Sequence, residues 1–66
     1  MLTVDKEKIE ILQARNGVQS EALPTITGLT KITILNMKNG KPCKPTSVHK
    51  LAKALGVDVT ELLKGD

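Results

Sequence analysis

Residues 23–40 read LPTITGLTKITILNMKNG and contain two short helical stretches on either side of a break at Gly28-Leu29-Thr30. In that break, the glycine permits a sharp turn, the leucine fills the space between the helices, and the threonine is of a type that caps helix N-termini. Ile34 and Met37 lie three residues apart, which predicts a helix over Lys31–Lys38 with these two side chains inward. The spacing of the two stretches predicts a helix-turn-helix.

Apolar periodicity predicts four helices besides Lys31–Lys38, one of which is the first helix of this motif. Their predicted extents are Asp5–Arg15, Ser20–Thr27, a helix capped by Thr46 with Val48, Leu51, Ala52 and Leu55 on one face, and a last helix opened by a capping box of Asp58 and Glu61 and closed by Gly65. Pro24 has no N–H, so the second helix must begin late, kink or lose one hydrogen bond. Two prolines make residues 41–45 a stiff basic loop. The sequence therefore predicts an all-α protein, a compact five-helix bundle in which residues 1–66 form one domain.

The composition excludes several classes of function. In 66 residues, 39% are hydrophobic and none is aromatic, so one thin core uses nearly all the apolar side chains and leaves little room for a catalytic pocket. Without aromatic side chains, a platform that stacks single-stranded bases is not expected. Cys43 is expected to be an inert loop thiol and His49 an exposed helix residue, so we expect no metal, cofactor, small-molecule substrate or enzymatic activity. Short apolar runs and the absence of a signal peptide predict a soluble, cytoplasmic protein that contacts no membrane.

The charges are distributed unevenly along the chain. The formal net charge is +3, but residues 22–57 contain six lysines and no acidic residue. This segment attracts polyanions, although lysines also serve simply to keep a small surface soluble. A phosphate-binding face is the favoured interpretation.

A longer pattern extends from the helix-turn-helix towards the C-terminus. It comprises Leu23, Gly28, Leu29, Thr30, Ile34, Met37, Asn39 and Gly40, followed by LAKALGV at residues 51–57 and by Leu62-Leu63. With this pattern, residues 18–63 resemble the Cro/phage-repressor (XRE-like) helix-turn-helix family. The chain departs from the family pattern at Gln19-Ser20 (family Ser-Gln), Pro24 (family Ala) and Lys38 (family acid). The resemblance implies a lambda-repressor-like domain that binds double-stranded DNA and regulates transcription.

The resemblance places the helix over Lys31–Lys38 in the major groove, with its early outward residues at base edges. The residues it nominates for base contacts are Lys31, Ile32, Thr33 and Asn36. Their chemistry agrees, because lysine donates to guanine, asparagine bonds to adenine through two hydrogen bonds, and isoleucine or threonine contacts the thymine methyl group. The residues nominated for phosphate contacts are Gln19, Ser20, Thr30, Lys38, Asn39, Lys41 and Lys44. Lys50 and Lys53 are expected only to solubilise the following helix.

Three apolar residues, Ile26, Ile32 and Leu35, occupy places that are more often polar in such proteins. Ile32 either contacts a base or packs on Ile26 or Leu35. The alternative to DNA binding is a protein-interaction or dimerisation module in which the three form an apolar patch. Because one recognition helix covers only a half-site, a homodimer on DNA is a further expectation. A natural repressor-type regulator of bacterial or phage type and an engineered DNA binder would share the same physics.

Overall fold

The computed structural model describes residues 1–65, and Asp66, one of the acidic residues near the C-terminus, lies outside the described residues. The described residues form four α-helices, α1 (Lys6–Asn16), α2 (Leu23–Thr27), α3 (Lys31–Lys38) and α4 (Pro45–Leu55), and two short 3₁₀ turns, Ser20–Ala22 and Val59–Glu61. The all-α prediction is confirmed, but the five-helix count is wrong, since the predicted last helix is only a 3₁₀ turn. None of the helices in residues 1–65 is long and apolar enough to cross a membrane.

Side chains satisfy the free backbone groups at the ends of α1. Asp5 is the N-cap, and its Oδ1 atom accepts a hydrogen bond from the backbone N–H of Glu7 at 2.9 Å. The helix ends at Asn16, one residue beyond the predicted end. The Asn16 amide donates to the carbonyl oxygens of Leu12 at 2.8 Å and Leu55 at 3.2 Å. This second bond ties the end of α1 to the end of α4.

The helix predicted over Ser20–Thr27 is instead a 3₁₀ turn followed by α2. The reason is Pro24, because an α-helix through both residues would need a proline N–H to bond to the Ser20 carbonyl. In the structure, the backbone N–H of Leu23 donates to that carbonyl, and α2 begins at Leu23 with Pro24 in its first turn, where proline is tolerated. Of the three consequences expected of Pro24, the late start is the one observed.

A tight turn joins α2 to α3. Gly28 has a φ of 74°, in the left-handed region, and its N–H donates to the Pro24 carbonyl at 3.0 Å. Leu29 is half-buried and packs against the core. Thr30 is the N-cap of α3, and its hydroxyl accepts from the backbone N–H of Thr33 at 3.2 Å. The predicted cap, the predicted bounds of α3 and the helix-turn-helix are therefore confirmed.

The start of α4 differs from the prediction, whereas its buried face agrees with it. The predicted N-cap, Thr46, is wrong, because Lys44 occupies the cap position with an extended backbone and Pro45 is the first helical residue. Proline suits the first helical position, since its φ is already helical and its missing N–H needs no partner there. The predicted apolar stripe is confirmed, and its four side chains are buried, namely Val48, Leu51, Ala52 and Leu55.

The second 3₁₀ turn stands where the last helix was expected. Asp58 caps it, as predicted, but its Oδ2 atom bonds to the backbone N–H and the hydroxyl of Thr60, at 3.1 and 2.5 Å. The N–H of Glu61 donates to the Asp58 carbonyl oxygen at 3.0 Å, the i to i+3 bond of a 3₁₀ turn. The Thr60 hydroxyl, and then its N–H, hold the pKa of Asp58 below its usual value.

An extended N-terminal segment, for which the sequence analysis predicts no structure, covers one side of the core. The backbones of Leu2 and Cys43 exchange hydrogen bonds of 2.9 and 2.7 Å, and Val4 forms a second antiparallel bridge with Leu63. Val4 is 1% exposed. Cys43 is a free thiol in the loop between α3 and α4, but it is buried in the core, and its Sγ atom donates to the Leu2 carbonyl oxygen at 3.2 Å. Burial raises the pKa of the Cys43 thiol by more than the N-terminal ammonium lowers it.

Candidate nucleic-acid interface

One face of α3 is buried and the other is open. Ile34 and Met37 lie in the core, whereas Ile32 is 71% exposed and Leu35 is 57% exposed. Lys31, at the start of the helix, is also exposed. At this exposure most of the Ile32 side chain is open to solvent, which disfavours the interpretation that it is buried against its apolar neighbours.

A groove runs between the 3₁₀ turn Ser20–Ala22 and α3, and we call it the turn groove. Its lining residues are Ser20, Glu21, Lys31, Ile34, Leu35 and Lys38. Within it, the Lys38 ammonium donates to the Ser20 hydroxyl at 3.2 Å. The structure thus brings together two of the residues predicted to contact phosphate and one predicted to contact a base.

Two donors converge on the hydroxyl of Ser20 in the turn groove. Besides Lys38, the side chain of Gln13 donates from Nε2 to Ser20 Oγ and to the carbonyl oxygen of Val18, both at 3.3 Å. A serine hydroxyl has two lone pairs and one hydrogen. Because both lone pairs are occupied, the hydrogen is the group left for a further partner. That partner must be an acceptor, as phosphate oxygens are.

A second groove, which we call the helix groove, runs between α3 and the start of α4. Its lining residues are Met1, Thr33, Asn36, Pro42, Cys43, Lys44 and Ser47. Thr33 and Asn36 are half-buried and Lys44 is exposed. The Thr33 hydroxyl lies 2.8 Å from the Thr30 hydroxyl, so part of its hydrogen-bonding capacity belongs to the cap of α3. Two residues predicted to read bases therefore share a groove with one predicted to hold phosphate.

Four other predicted phosphate contacts lie outside both grooves, and all are exposed, namely Gln19, Thr30, Asn39 and Lys41. Asn39 borders a third groove together with Asp5 and Lys38. The backbone N–H of Lys41 donates to the Asn36 carbonyl oxygen at 3.0 Å, which fixes the start of the basic loop against α3. The helix dipole adds little to phosphate binding beside Gln19 and Ser20, because α2 has only five residues.

The charges of the two grooves suit an anionic partner. Their charged side chains are Lys31, Lys38 and Lys44 against the single acid Glu21. Among residues 1–65, no three His, Cys, Asp or Glu side chains lie close enough together to hold a metal ion. The arrangement presents cationic, hydroxyl and amide groups around an exposed helix.

Gln13 is a functional candidate that the sequence analysis missed. It lies on α1 and is 7% exposed. Its position carried a signal, because Gln13 is four residues after the buried Ile9 and therefore falls on the inward face of α1. A polar side chain on a buried face needs a hydrogen-bond partner, but its identity depends on a distant segment.

An exposed helix that follows a glycine turn, with lysines and polar groups along both sides, defines a helix-turn-helix DNA-binding domain. The sequence matches the model of the Cro/C1-type HTH DNA-binding domain over residues 8–65. The chain belongs to this family and is a DNA-binding domain. The resemblance stated from the sequence is thereby confirmed.

The fold is also similar to that of a solved structure, the restriction-modification controller protein C.AhdI from Aeromonas hydrophila. The two share a TM-score of 0.75 and 24% sequence identity, over 88% of this chain and 89% of that chain. At this identity the likeness shows a common fold alone. No curated protein matches the sequence.

Proposed function

We propose that the protein binds a specific sequence of double-stranded DNA with α3 in the major groove. The observation that carries this proposal is the open face of α3, which is exposed at Ile32 and Leu35 and lies between the turn groove and the helix groove. The major groove of B-DNA admits one α-helix. The eight residues of α3 span about 12 Å, enough to reach a few base pairs.

Base recognition is proposed for the residues on and beside this open face. Lys31 donates to guanine O6 or N7, and Asn36 pairs with adenine N6 and N7. Thr33 and Ile32 contact thymine methyl groups through their own methyl groups. These contacts give the protein its sequence preference.

Phosphate binding is proposed for the groups that border the helix. The Ser20 hydroxyl donates its free hydrogen to a phosphate oxygen, next to the Lys38 ammonium. Lys44 acts from the helix groove on the other side of α3, and Lys41 acts from the exposed loop that follows α3. Gln19, Thr30 and Asn39 are exposed at the margin and complete the proposed set. These contacts position the protein without selecting a sequence.

Regulation of transcription and pairing of two copies on DNA belong to the same proposal. Regulation of transcription is supported by the fold that the chain shares with a controller protein. Pairing of two copies is supported by the short reach of a single recognition helix, which covers only a half-site. The number of copies can be read from the bound site. A two-fold symmetric site indicates a homodimer, and an asymmetric site indicates a monomer.

A second candidate function is a protein-interaction module, favoured by the exposure of Ile26 (45%), Ile32 (71%) and Leu35 (57%). Salt separates the two functions. Duplex binding weakens steeply as the salt concentration rises, because the counterions that binding releases enter a more concentrated solution and gain less free energy, whereas an apolar contact keeps its strength.

The test is selection from randomised duplexes, followed by titration of the selected duplex at several salt concentrations. Asn36→Ala should remove the preference at one base pair, by about tenfold or more. Lys44→Ala should weaken binding to all sequences alike and lower the salt slope by about one. Lys50→Ala makes the same charge change on α4 and is the matched control, with binding unchanged. An unchanged selection profile for Asn36→Ala would remove that residue from the base-reading set.

A further inference from the structure

We propose that Ile32 and Leu35 form an apolar ridge on α3 that recognises the C5-methyl groups of pyrimidines in the major groove. The proposal rests on the proposed function and adds Leu35 to the residues that determine specificity. It names the feature of DNA that the open face of α3 selects. In ordinary DNA that feature is thymine, and in modified DNA it is also 5-methylcytosine.

The two side chains have no packing role in the folded chain. Ile32 is 71% exposed and Leu35 is 57% exposed, and neither belongs to the core or to the partly buried residues packed against it. Leu29, one turn earlier, is half-buried and packs on that core. Residues three apart on a helix lie side by side, with about 5–6 Å between their Cβ atoms. Ile32 and Leu35 therefore form one continuous strip on the surface of α3.

The surroundings of the strip favour DNA over a second copy of the chain. Leu35 borders the turn groove beside Lys31 and Lys38, with Glu21 as the only acid among the residues that line it. On the other side of α3, the helix groove holds Lys44. Two copies meeting through this strip would bring like charges together, whereas a duplex supplies phosphates for the lysines.

Ile26, the third residue of the suggested apolar patch, lies elsewhere. It borders a groove between α2 and α4 with Lys50 and Lys53. The residues that line the turn groove do not include Ile26. Ile26 is therefore not part of the same surface as Ile32 and Leu35, and only the last two form the strip on α3.

The major groove offers an aliphatic strip only one kind of apolar partner. The edges of guanine, adenine and cytosine present donors and acceptors, while thymine adds a C5-methyl group, which 5-methylcytosine also carries. Base pairs are stacked about 3.4 Å apart, so Cβ atoms 5–6 Å apart correspond to roughly one to two base-pair steps. The ridge is expected to read methyl groups on two pyrimidines within three consecutive base pairs.

The experiment uses the duplex obtained by selection, with each thymine replaced in turn by deoxyuridine, which lacks only the methyl group. Fluorescence anisotropy gives the affinity for the wild type, Ile32→Ala, Leu35→Ala and Asn36→Ala. For the wild type, replacing a contacted thymine by deoxyuridine should weaken binding about fourfold, which corresponds to the loss of one buried methyl group. Ile32→Ala and Leu35→Ala should each lose sensitivity to one of these positions. Asn36→Ala, the control for a polar reader, should keep the sensitivity to both.

A second arm separates the two sources of the methyl group. Each contacted T·A pair is replaced by a pair of 5-methylcytosine with guanine. Affinity within about twofold of the original assigns recognition to the methyl group on either base. A larger loss overturns the recognition of 5-methylcytosine and confines the ridge to thymine paired with adenine.

Several results would overturn the inference and leave the proposed function intact. One is a selected sequence that tolerates deoxyuridine at every position, and another is a selected sequence without thymine. A third is a variant, Ile32→Ala or Leu35→Ala, whose oligomeric state differs from that of the wild type in a sedimentation experiment but whose sensitivity to deoxyuridine is unchanged. A protein that selects no sequence at all would instead refute the proposed function. Thermal unfolding checks that the variants fold, as expected for exposed side chains.

Discussion

Gln13 links the buried face of α1 to the surface proposed to bind DNA. Its amide nitrogen donates to Ser20 Oγ and to the carbonyl oxygen of Val18. By occupying one lone pair of the Ser20 hydroxyl, it helps to direct the hydroxyl hydrogen outward, while Lys38 occupies the other. Gln13 does not reach DNA itself in this account and acts as a positioning residue.

Gln13→Leu is predicted to weaken binding to the selected duplex about fivefold, the value of one hydrogen bond that is well oriented. Ser20→Ala should have a similar effect. Because Gln13 acts through Ser20, the double variant should bind no more weakly than Ser20→Ala alone. Affinities for all four proteins, measured at one salt concentration, form the cycle. Losses that multiply in the double variant would contradict the positioning role.

At the scale of residues, sequence reasoning succeeds where the partner is local. Thr30 caps α3 through a backbone N–H three residues away, and such a partner is visible in the sequence. The Thr46 prediction failed because Pro45 competes for the same helix start and its ring fixes the helical φ. The partner of Gln13 is seven residues away across a turn, so its identity depends on how the chain bends there.

At the scale of elements, the turn between α2 and α3 fixes the orientation of α3, the proposed recognition helix. Gly28 ends α2 with a φ of 74° and leads within two residues to the cap of α3. A Cβ atom added at Gly28 would meet nothing within 4 Å. The need for glycine here is therefore conformational and not steric.

Gly28→Ala is predicted to lower the free energy of unfolding by about 1–2 kcal/mol, the cost of a left-handed backbone for a residue with a Cβ atom. Gly28→Asn should lose less, since asparagine visits this region more readily. Urea unfolding of the three proteins measures the difference. Equal stabilities for glycine and alanine would show that the turn is not held in this conformation.

The elements themselves were largely predictable, and the exceptions have a common cause. α1, α3 and the buried face of α4 follow from helical spacing of apolar residues. The second predicted helix breaks at Pro24, and the last one shortens to Val59–Glu61. A short apolar cluster next to a proline or a glycine fits the pattern of an α-helix and that of a 3₁₀ turn equally well. The sequence therefore did not predict how long these two elements are.

At the scale of the whole molecule, the N-terminal segment completes the core beneath the loop that borders the helix groove. Leu2 pairs with Cys43, and Val4 pairs with Leu63. In each pair the partners are more than forty residues apart in the sequence, so no local sequence pattern predicts the pairing. The alternation of Leu2 and Val4 was the only local sign of an extended segment.

Val4→Ala is predicted to lower the free energy of unfolding by about 2 kcal/mol, because it removes two buried aliphatic carbons and leaves a cavity in their place. Val4 is 1% exposed, whereas Ile11 is 56% exposed. Ile11→Ala is therefore the matched control and should change stability by less than about 0.5 kcal/mol. Urea unfolding distinguishes them. A similar change in both would mean that the N-terminal segment contributes little to the core.

The most direct test of DNA recognition by α3 is an NMR titration of ¹⁵N-labelled protein with the selected duplex. We predict that the backbone amide signals of Lys31–Asn36 shift most, followed by those of Ser20 and Lys44. The signals of Ile11 and Lys53, on other faces of the molecule, should stay in place. Shifts concentrated at Ile11 or Lys53, with Lys31–Asn36 unchanged, would contradict the account.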